Sequence, residues 1–244
     1  MITMGIYLAE RGLIPDRLLR FFIKRFSLSR LVEANNEERK MSVIDGLKTG
    51  PIAENTIDAN EQHYEVPADY FKAVLGPRLK YSCCWFDDES VSLGEAEIKM
   101  MESYLERAKI EDGQTILDLG CGWGSLSLFL AERFPNSNIY SVSNSNDQIE
   151  HIKNIAKEKN LENLHPEVQD VNSLTLNQQF DRVVSIEMFE HMRNYEALLQ
   201  KVKHLLKPDG LLFIHIFCHK ETAYLYEESG EKDWMTRNFF RGGI

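Results

Sequence analysis

Two carboxylates and an imidazole fall within five residues at Ile186-Glu187-Met188-Phe189-Glu190-His191, the end of the apolar stretch FDRVVSIEM (180–188). If a helix starts there, Glu187, Glu190 and His191 stand at i, i+3 and i+4 and share one face. Those side chains suit chemistry on an amine that arrives protonated. An amine attacks carbon only as its free base, so a protonated amine must first lose a proton. A carboxylate holds the ammonium, and a histidine titrating near neutral pH accepts the proton. The alternative is that both carboxylates simply answer a helix dipole. Position decides for catalysis, because ligands of doubly wound sheets sit at the carboxyl ends of strands. No second histidine stands at ligand spacing, so no metal is expected.

A second cluster is Asp118-Leu119-Gly120-Cys121-Gly122-Trp123-Gly124, directly after the buried-strand signal TILDL (115–119). Glycines at such a turn let a ligand lie against the backbone. A dinucleotide site would use G-x-G-x-x-G to bring pyrophosphate to a helix N-terminus. Here the third glycine comes one residue early. S-adenosylmethionine has no phosphate, and its amino acid part needs acceptors for an ammonium, which carbonyls of an open glycine loop supply. The cluster therefore predicts an S-adenosylmethionine site, with S-adenosylhomocysteine as product, against the plainer reading of a tight βα turn. Ser143 and Asn144 end the second strand where many such folds place an acidic ribose ligand, and Gln148 follows one helical turn later; all three offer hydrogen bonds to a ribose. Asp170, with Val171 beside it, ends the third strand. It either meets the adenine amino group or serves as a turn residue.

The elements that must position these residues alternate from residue 110 onward. Strands are expected at 115–119, 138–143, 165–170, 180–188 and 210–217, with helices between them, one from about Asp147 to Lys159. Lys207-Pro208-Asp209-Gly210 reads as a turn closing the last helix. Such alternation predicts an α/β fold with right-handed crossovers and a doubly wound, mostly parallel sheet. A helix near 93–108 carries Leu93, Ile98, Met101 and Leu105. Residues 13–32 read as an amphipathic helix, with Leu18, Leu19, Phe22, Ile23 and Phe26 on one side and Arg17, Arg20, Lys24, Arg25 and Arg30 supplying charge. Docking over the core is the preferred reading of that helix, with peripheral membrane contact as the alternative. Residues 33–60 read as a mobile connector. The division is an N-terminal helical segment (1–60) and a cofactor-binding domain (61–244).

Composition narrows the classes. The 244 residues carry a net charge of −10, which argues against nucleic acid, whose phosphates need a basic face. Acidity suits a sulfonium cofactor or an amine. Cys83, Cys84, Cys121 and Cys218 show neither a disulfide framework nor zinc-like pair spacing. No stretch approaches a membrane span, and Glu10, Arg11 and Asp16 interrupt any signal-peptide pattern, so a cytoplasmic protein is expected.

HYEVPADYF, YSCCWF, LDLGCGWGSLSL, IEMFEHMRNY and FCHKETAY occur in that order. Over about residue 60 to the end the chain resembles the methyltransferase branch that holds cyclopropane-fatty-acyl-phospholipid synthases and coclaurine-type N-methyltransferases. The resemblance implies a Rossmann-like fold and adds Tyr81 and Ser82 as cofactor contacts. It leaves the acceptor divided. The E-x-x-E-H run with Glu187, where synthases usually have glycine, together with FCHK and FFRGG, is similar to the amine methylators. Synthases hold a bicarbonate base with a Cys, a Glu and a His, and Cys83, Glu190 and His215 stand at those positions; Phe217 departs from that pattern. Amine methylation is the expected activity, with a lipid acceptor or a non-catalytic cofactor-binding domain as alternatives. Sheets of this class end in an antiparallel hairpin, and only five strands are signalled. The expectation is a C-terminally incomplete chain, or one whose sheet another copy completes.

Overall fold

TILDL and FDRVVSI carry apolar residues in both phases of the strand period, the mark of strands covered on both faces. In the computed structural model, which describes residues 2–34, 36–54 and 68–220, they are β1 (Thr115–Leu119) and β4 (Phe180–Ile186). Ile116, Leu117, Val183 and Val184 are fully buried. With β2 (Asn138–Ser143), β3 (Leu164–Val168) and β5 (Leu206–His215) they form a sheet of order β3-β2-β1-β4-β5, every pairing parallel. Ile116, Ile139 and Val184 face one apolar cluster, and their neighbours Leu117, Tyr140 and Val183 face the other. That is the alternation a two-sided sheet requires.

Helices α5 (Leu93–Ala108), α6 (Ser125–Arg133) and α7 (Asn146–Glu158) pack into the first cluster, and α8 (Tyr195–Leu205) packs into the second. Their starts are set by local chemistry. Ser92 and Glu95 form a reciprocal capping box on α5, while Ser145 and Asn194 cap α7 and α8. Strand order reverses between β1 and β4, so the loops leaving them diverge. A crevice opens there, at the carboxyl ends.

Several expectations change. β5 begins at Leu206, immediately after α8, instead of at 210. The Lys207–Gly210 turn is absorbed as a register shift, with Phe180 opposite Leu206 and Arg182 opposite Leu211. β3 and β4 end two residues earlier than expected, at Val168 and Ile186, because the chain turns there to form the crevice.

The connector is not mobile over 37–54. Glu37–Gly46 is a helix, α3, and residues 47–54 are strapped to the sheet's carboxyl edge. Ile52 O accepts the N–H groups of Arg193 and Asn194 at 2.7 and 3.3 Å, and Leu47 O accepts Tyr195 N–H at 3.0 Å. Asn172 brackets Ala53, accepting its N–H and donating to its carbonyl, both at 3.1 Å. Nearly all these bonds use the segment's backbone, which a polar composition does not reveal.

The helix expected over 13–32 is α2 (Asp16–Ala34), a further helix, α1 (Ile2–Glu10), precedes it, and the apolar side of α2 over 18–26 does not dock. Leu18, Phe21, Phe22, Ile23 and Phe26 are 44–59% exposed. Helix α4 (Ala68–Val74) completes the described elements. The FFRGG run, most of HYEVPADYF and the end of FCHKETAY lie outside the described residues.

Candidate functional site

The glycine loop folds back on β2, with Gly120 and Cys121 donating to Val142 O at 2.9 and 3.0 Å. Gly122 and Gly124 have positive φ, +52° and +81°, for different reasons. A Cβ on Gly124 would lie 2.5 Å from Ile152 Cγ1, so this glycine lets α6 pack on α7. A Cβ on Gly122 would meet nothing within 4 Å. It would project into open space beside a cavity of ≈ 440 Å³, which Gly122 lines.

That cavity gathers Tyr81, Ser82, Asp118, Gly120, Gly122 and Gln148 with Glu187, Glu190 and His191. A second cavity of ≈ 110 Å³ adds Ser143, Asn144, Gln169 and Val171, with Ala53 of the strap. The two share Gly120, Gly122, Gln148, Glu187 and His191. Of the expected cofactor residues, Gly124 and Asp170 line neither. Asp170 Oδ1 instead accepts Asn172 N–H at 2.7 Å, closing a turn.

Polar groups around the crevice are held in place and only partly satisfied. Asp118 is buried and accepts Ser127 Oγ–H at 2.6 Å; burial still pushes its carboxyl up to about 6. Gln148 Oε1 accepts Ser143 Oγ–H at 2.7 Å. Among the described residues Gln148 Nε2, Trp123 Nε1 and Glu190 Oε2 are buried without a hydrogen-bond partner. Buried polar atoms are nearly always paired, so such atoms lining a cavity mark places for ligand groups.

Glu187, Glu190 and His191 do not share a helix face. Glu187 takes a left-handed conformation, φ +51°, and Phe189–His191 form a single 3₁₀ turn. Two bonds fix this geometry: Glu187 N–H donates to His215 O at 2.7 Å, and Tyr195 Oη donates to Phe189 O at 2.7 Å. The three side chains nevertheless reach one cavity. Glu187 Oε1 accepts Cys83 N–H at 3.2 Å, and Glu190 Oε1 accepts Phe217 N–H at 3.1 Å. Burial pushes the Glu190 carboxyl upward.

His215 ends β5 with Nδ1 2.9 Å from Tyr104 Oη and Nε2 3.8 Å from Cys83 Sγ. Lys80 Nζ donates to Tyr104 Oη at 3.1 Å and to Ser82 Oγ. Burial pulls both Lys80 and His215 downward toward their neutral forms. The grouping of Cys83, Glu190 and His215 implied by resemblance is thus only partly formed. Cys83 and His215 meet, but the carboxylate beside them is Glu187.

Sequence reasoning missed Lys80, Tyr104 and Trp123. Tyr104 carried a signal: it lies at i+3 from Met101 on the apolar side of α5, where a tyrosine places a polar tip in a buried face. Lys80 and Trp123 carried none beyond their neighbours.

A family model for mycolic acid cyclopropane synthetase matches residues 53–244. (S)-Coclaurine N-methyltransferase of Thalictrum flavum subsp. glaucum is 40% identical over 241 residues, covering 96% of this chain and 66% of that protein. The chain thus spans about two thirds of that relative's length. Cyclopropane-fatty-acyl-phospholipid synthase of Escherichia coli (strain K12) is 30% identical over 185 residues, 75% of this chain and 45% of that protein. The crystal structure of coclaurine N-methyltransferase bound to N-methylheliamine and SAH superposes with a TM-score of 0.89 at 38% identity, over 96% of this chain and 70% of that one.

Asp118 gives a pH prediction. A carboxyl raised from 3.8 to about 6 favours the folded state in its neutral form, so its contribution is complete below pH 3.8 and is lost as pH rises through 6. At about 1.36 kcal/mol per pH unit this is about 3 kcal/mol. Asp118→Asn keeps the acceptor for Ser127 and cannot ionise. Thermal melts of variant and wild type are expected to coincide near pH 4 and separate by pH 7, the variant being more stable. Curves that stay parallel would show that Asp118 does not titrate in this window.

Proposed function

The chain belongs to the mycolic acid cyclopropane synthetase family, and on that footing we propose that it is an S-adenosylmethionine-dependent methyltransferase acting on the nitrogen of a small-molecule amine. One observation carries the choice of acceptor. The Glu187 carboxylate borders both cavities, along with the glycine loop and His191, where an amine arriving as its ammonium gains most from a fixed negative charge. Two further relatives, 38% and 36% identical, are likewise N-methyltransferases by name.

The residues fit the cofactor. The open side of Gly122 admits a ligand against the backbone, and Gln148 Nε2 is a buried donor awaiting an acceptor. Asp118 offers a carboxylate toward an ammonium, while Ser143, Asn144 and Gln148 are placed for ribose hydroxyls and Val171 for an adenine face. When bound, the cofactor supplies a methyl group already activated on a sulfonium. The protein's own work is then positioning and proton handling. Glu187 draws the ammonium form into the cavity, and His191, on the same wall, takes the proton that frees the nitrogen lone pair. Glu190, held by Phe217 N–H, keeps the wall acidic without competing for the same contact.

The approach of Cys83 to His215 favours a second reading, cyclopropane synthesis on unsaturated lipid chains, since those residues hold the base in synthases. Against it, Glu190 stands apart from the pair. Supplying methyl-labelled cofactor with a cyclic secondary amine and with unsaturated phospholipid vesicles separates the two. Label is expected in the amine, and Glu187→Gln is expected to lower kcat/KM by roughly 10²–10⁴-fold. Label in the lipid with an unaffected Glu187→Gln would overturn the amine assignment.

The same reading places the protein in the cytoplasm, in keeping with its four free cysteines, and gives α2 a peripheral membrane role. No described helix is long and apolar enough to cross a membrane. Phe21, Phe22, Ile23 and Phe26 are exposed among Arg17, Arg20, Lys24 and Arg25, in a chain of net charge −10. Basic charge beside exposed aromatics complements an anionic lipid surface. Cosedimentation with phosphatidylserine vesicles is expected, and Phe22→Glu should abolish it. Equal recovery of both proteins with the vesicles would contradict the role.

A further inference from the structure

Three residues far apart in sequence, Cys83 before α5, Glu187 after β4 and His215 at the end of β5, bring a sulfur, a carboxylate oxygen and an imidazole nitrogen within 4.8 Å of one another. We propose that they form a binding site for a borderline-soft divalent cation, with Zn²⁺ as its probe, on the acceptor side of the cavity.

Distances support this. Zinc takes thiolate sulfur at about 2.3 Å and imidazole nitrogen at about 2.0–2.1 Å, so tetrahedral ligands of these two kinds stand about 3.6 Å apart. Cys83 Sγ and His215 Nε2 are 3.8 Å apart. Sub-ångström movement closes the Cys83–His215 pair, and a Glu187 carboxylate oxygen lies within 4.8 Å of both.

The three residues are tied together by groups that a cation does not need. Glu187 N–H donates to His215 O, and Cys83 N–H donates to Glu187 Oε1. The thiol, His215 Nε2 and the Glu187 carboxylate remain as ligands. Metal-binding histidines are held by a partner on the other ring nitrogen. Tyr104 Oη, 2.9 Å from His215 Nδ1, is that partner. A phenol oxygen has two lone pairs; one accepts Lys80 Nζ–H, and the other is available to accept Nδ1–H. That tautomer leaves the Nε2 lone pair pointing at the cluster. Cys83 is exposed, which gives an ion a way in, and three protein ligands leave a fourth position open.

The chemistry selects the ion. A thiolate and an imidazole suit zinc, cobalt or copper and are poor partners for magnesium or calcium. Binding replaces the Cys83 S–H bond with a sulfur–metal bond and releases the proton to solvent. On the methyltransferase reading, an ion held here engages Glu187 and inhibits methyl transfer. Binding itself does not depend on that reading.

The 244-residue chain, stripped by a chelator, is titrated with Zn²⁺ by calorimetry and with Co²⁺ by absorption. One ion per chain is expected, with a sulfur-to-cobalt charge-transfer band. Cys83→Ser is expected to remove the band, and Cys83→Ser and His215→Asn each to weaken binding by at least about 10-fold, as does Tyr104→Phe through its hold on His215. Cys84→Ser is expected to change nothing, because Cys84 Sγ turns to Ser82 O. Circular dichroism of each variant confirms that it folds. A charge-transfer band that persists in Cys83→Ser, or Zn²⁺ binding equal in wild type and a Cys83→Ser/His215→Asn double variant, would overturn the proposal. Zinc binding by a protein whose metal-free form transfers no methyl group would sink only the enzymatic reading.

Discussion

β4 is hydrogen-bonded on both edges, and that double pairing organises the site. On one side Ile116, Leu117 and Asp118 of β1 match Arg182, Val183 and Val184; on the other, Val183 through Ile186 match Leu212 through His215. The pairing does not stop with the strand. Glu187 N–H extends it by one bond to His215 O, although Glu187 has already turned into the left-handed region. A non-glycine residue holds that conformation only when its surroundings over-determine it, at about 1–2 kcal/mol. The bond to β5, the Cys83 contact and the tyrosine-pinned turn supply that constraint. A carboxylate, an imidazole and a thiol meet because three chain segments are locked to one ladder.

The crevice beside β4 is polar where the rest of the interior is not. Asp118 is fully buried with a hydroxyl as its partner, while Gln148 and Trp123 hold unpaired donors. Each would cost about 1–3 kcal/mol in a closed core. Their concentration along one cavity suits a ligand with both charged and hydrogen-bonding groups. The strap at 47–54 closes the smaller cavity from outside through Ala53. Asn172 couples it to the loop that follows β3.

Much of this was legible in the sequence. β1 and β2 matched in both bounds because their apolar runs are bracketed by turn residues, and the parallel sheet followed from the alternation of strands and helices. Gly120 and Gly122 of the glycine loop, Gln148 and the Glu187-Glu190-His191 group all line one cavity. What failed did so for identifiable reasons. The strap is held chiefly by backbone carbonyls, which composition does not encode. The Lys207–Gly210 turn was absorbed into a strand because a bulge in β5 uses the same residues. The helix after β4 is a 3₁₀ turn because the pull of His215 O on Glu187 is tertiary, invisible to local spacing. The meeting of Cys83, Glu187 and His215 spans 132 residues of sequence and needs the folded sheet.

The central claim is that the loop after β1 holds S-adenosylmethionine against an open backbone at Gly122. Calorimetric titration of wild type and Gly122→Val with S-adenosylmethionine and S-adenosylhomocysteine tests it most directly. Saturable binding by the wild type, lost in a folded Gly122→Val whose branched side chain fills the space beside the loop, is the expected result. A folded wild type that binds neither compound, or a valine variant that binds as well as the wild type, would contradict it.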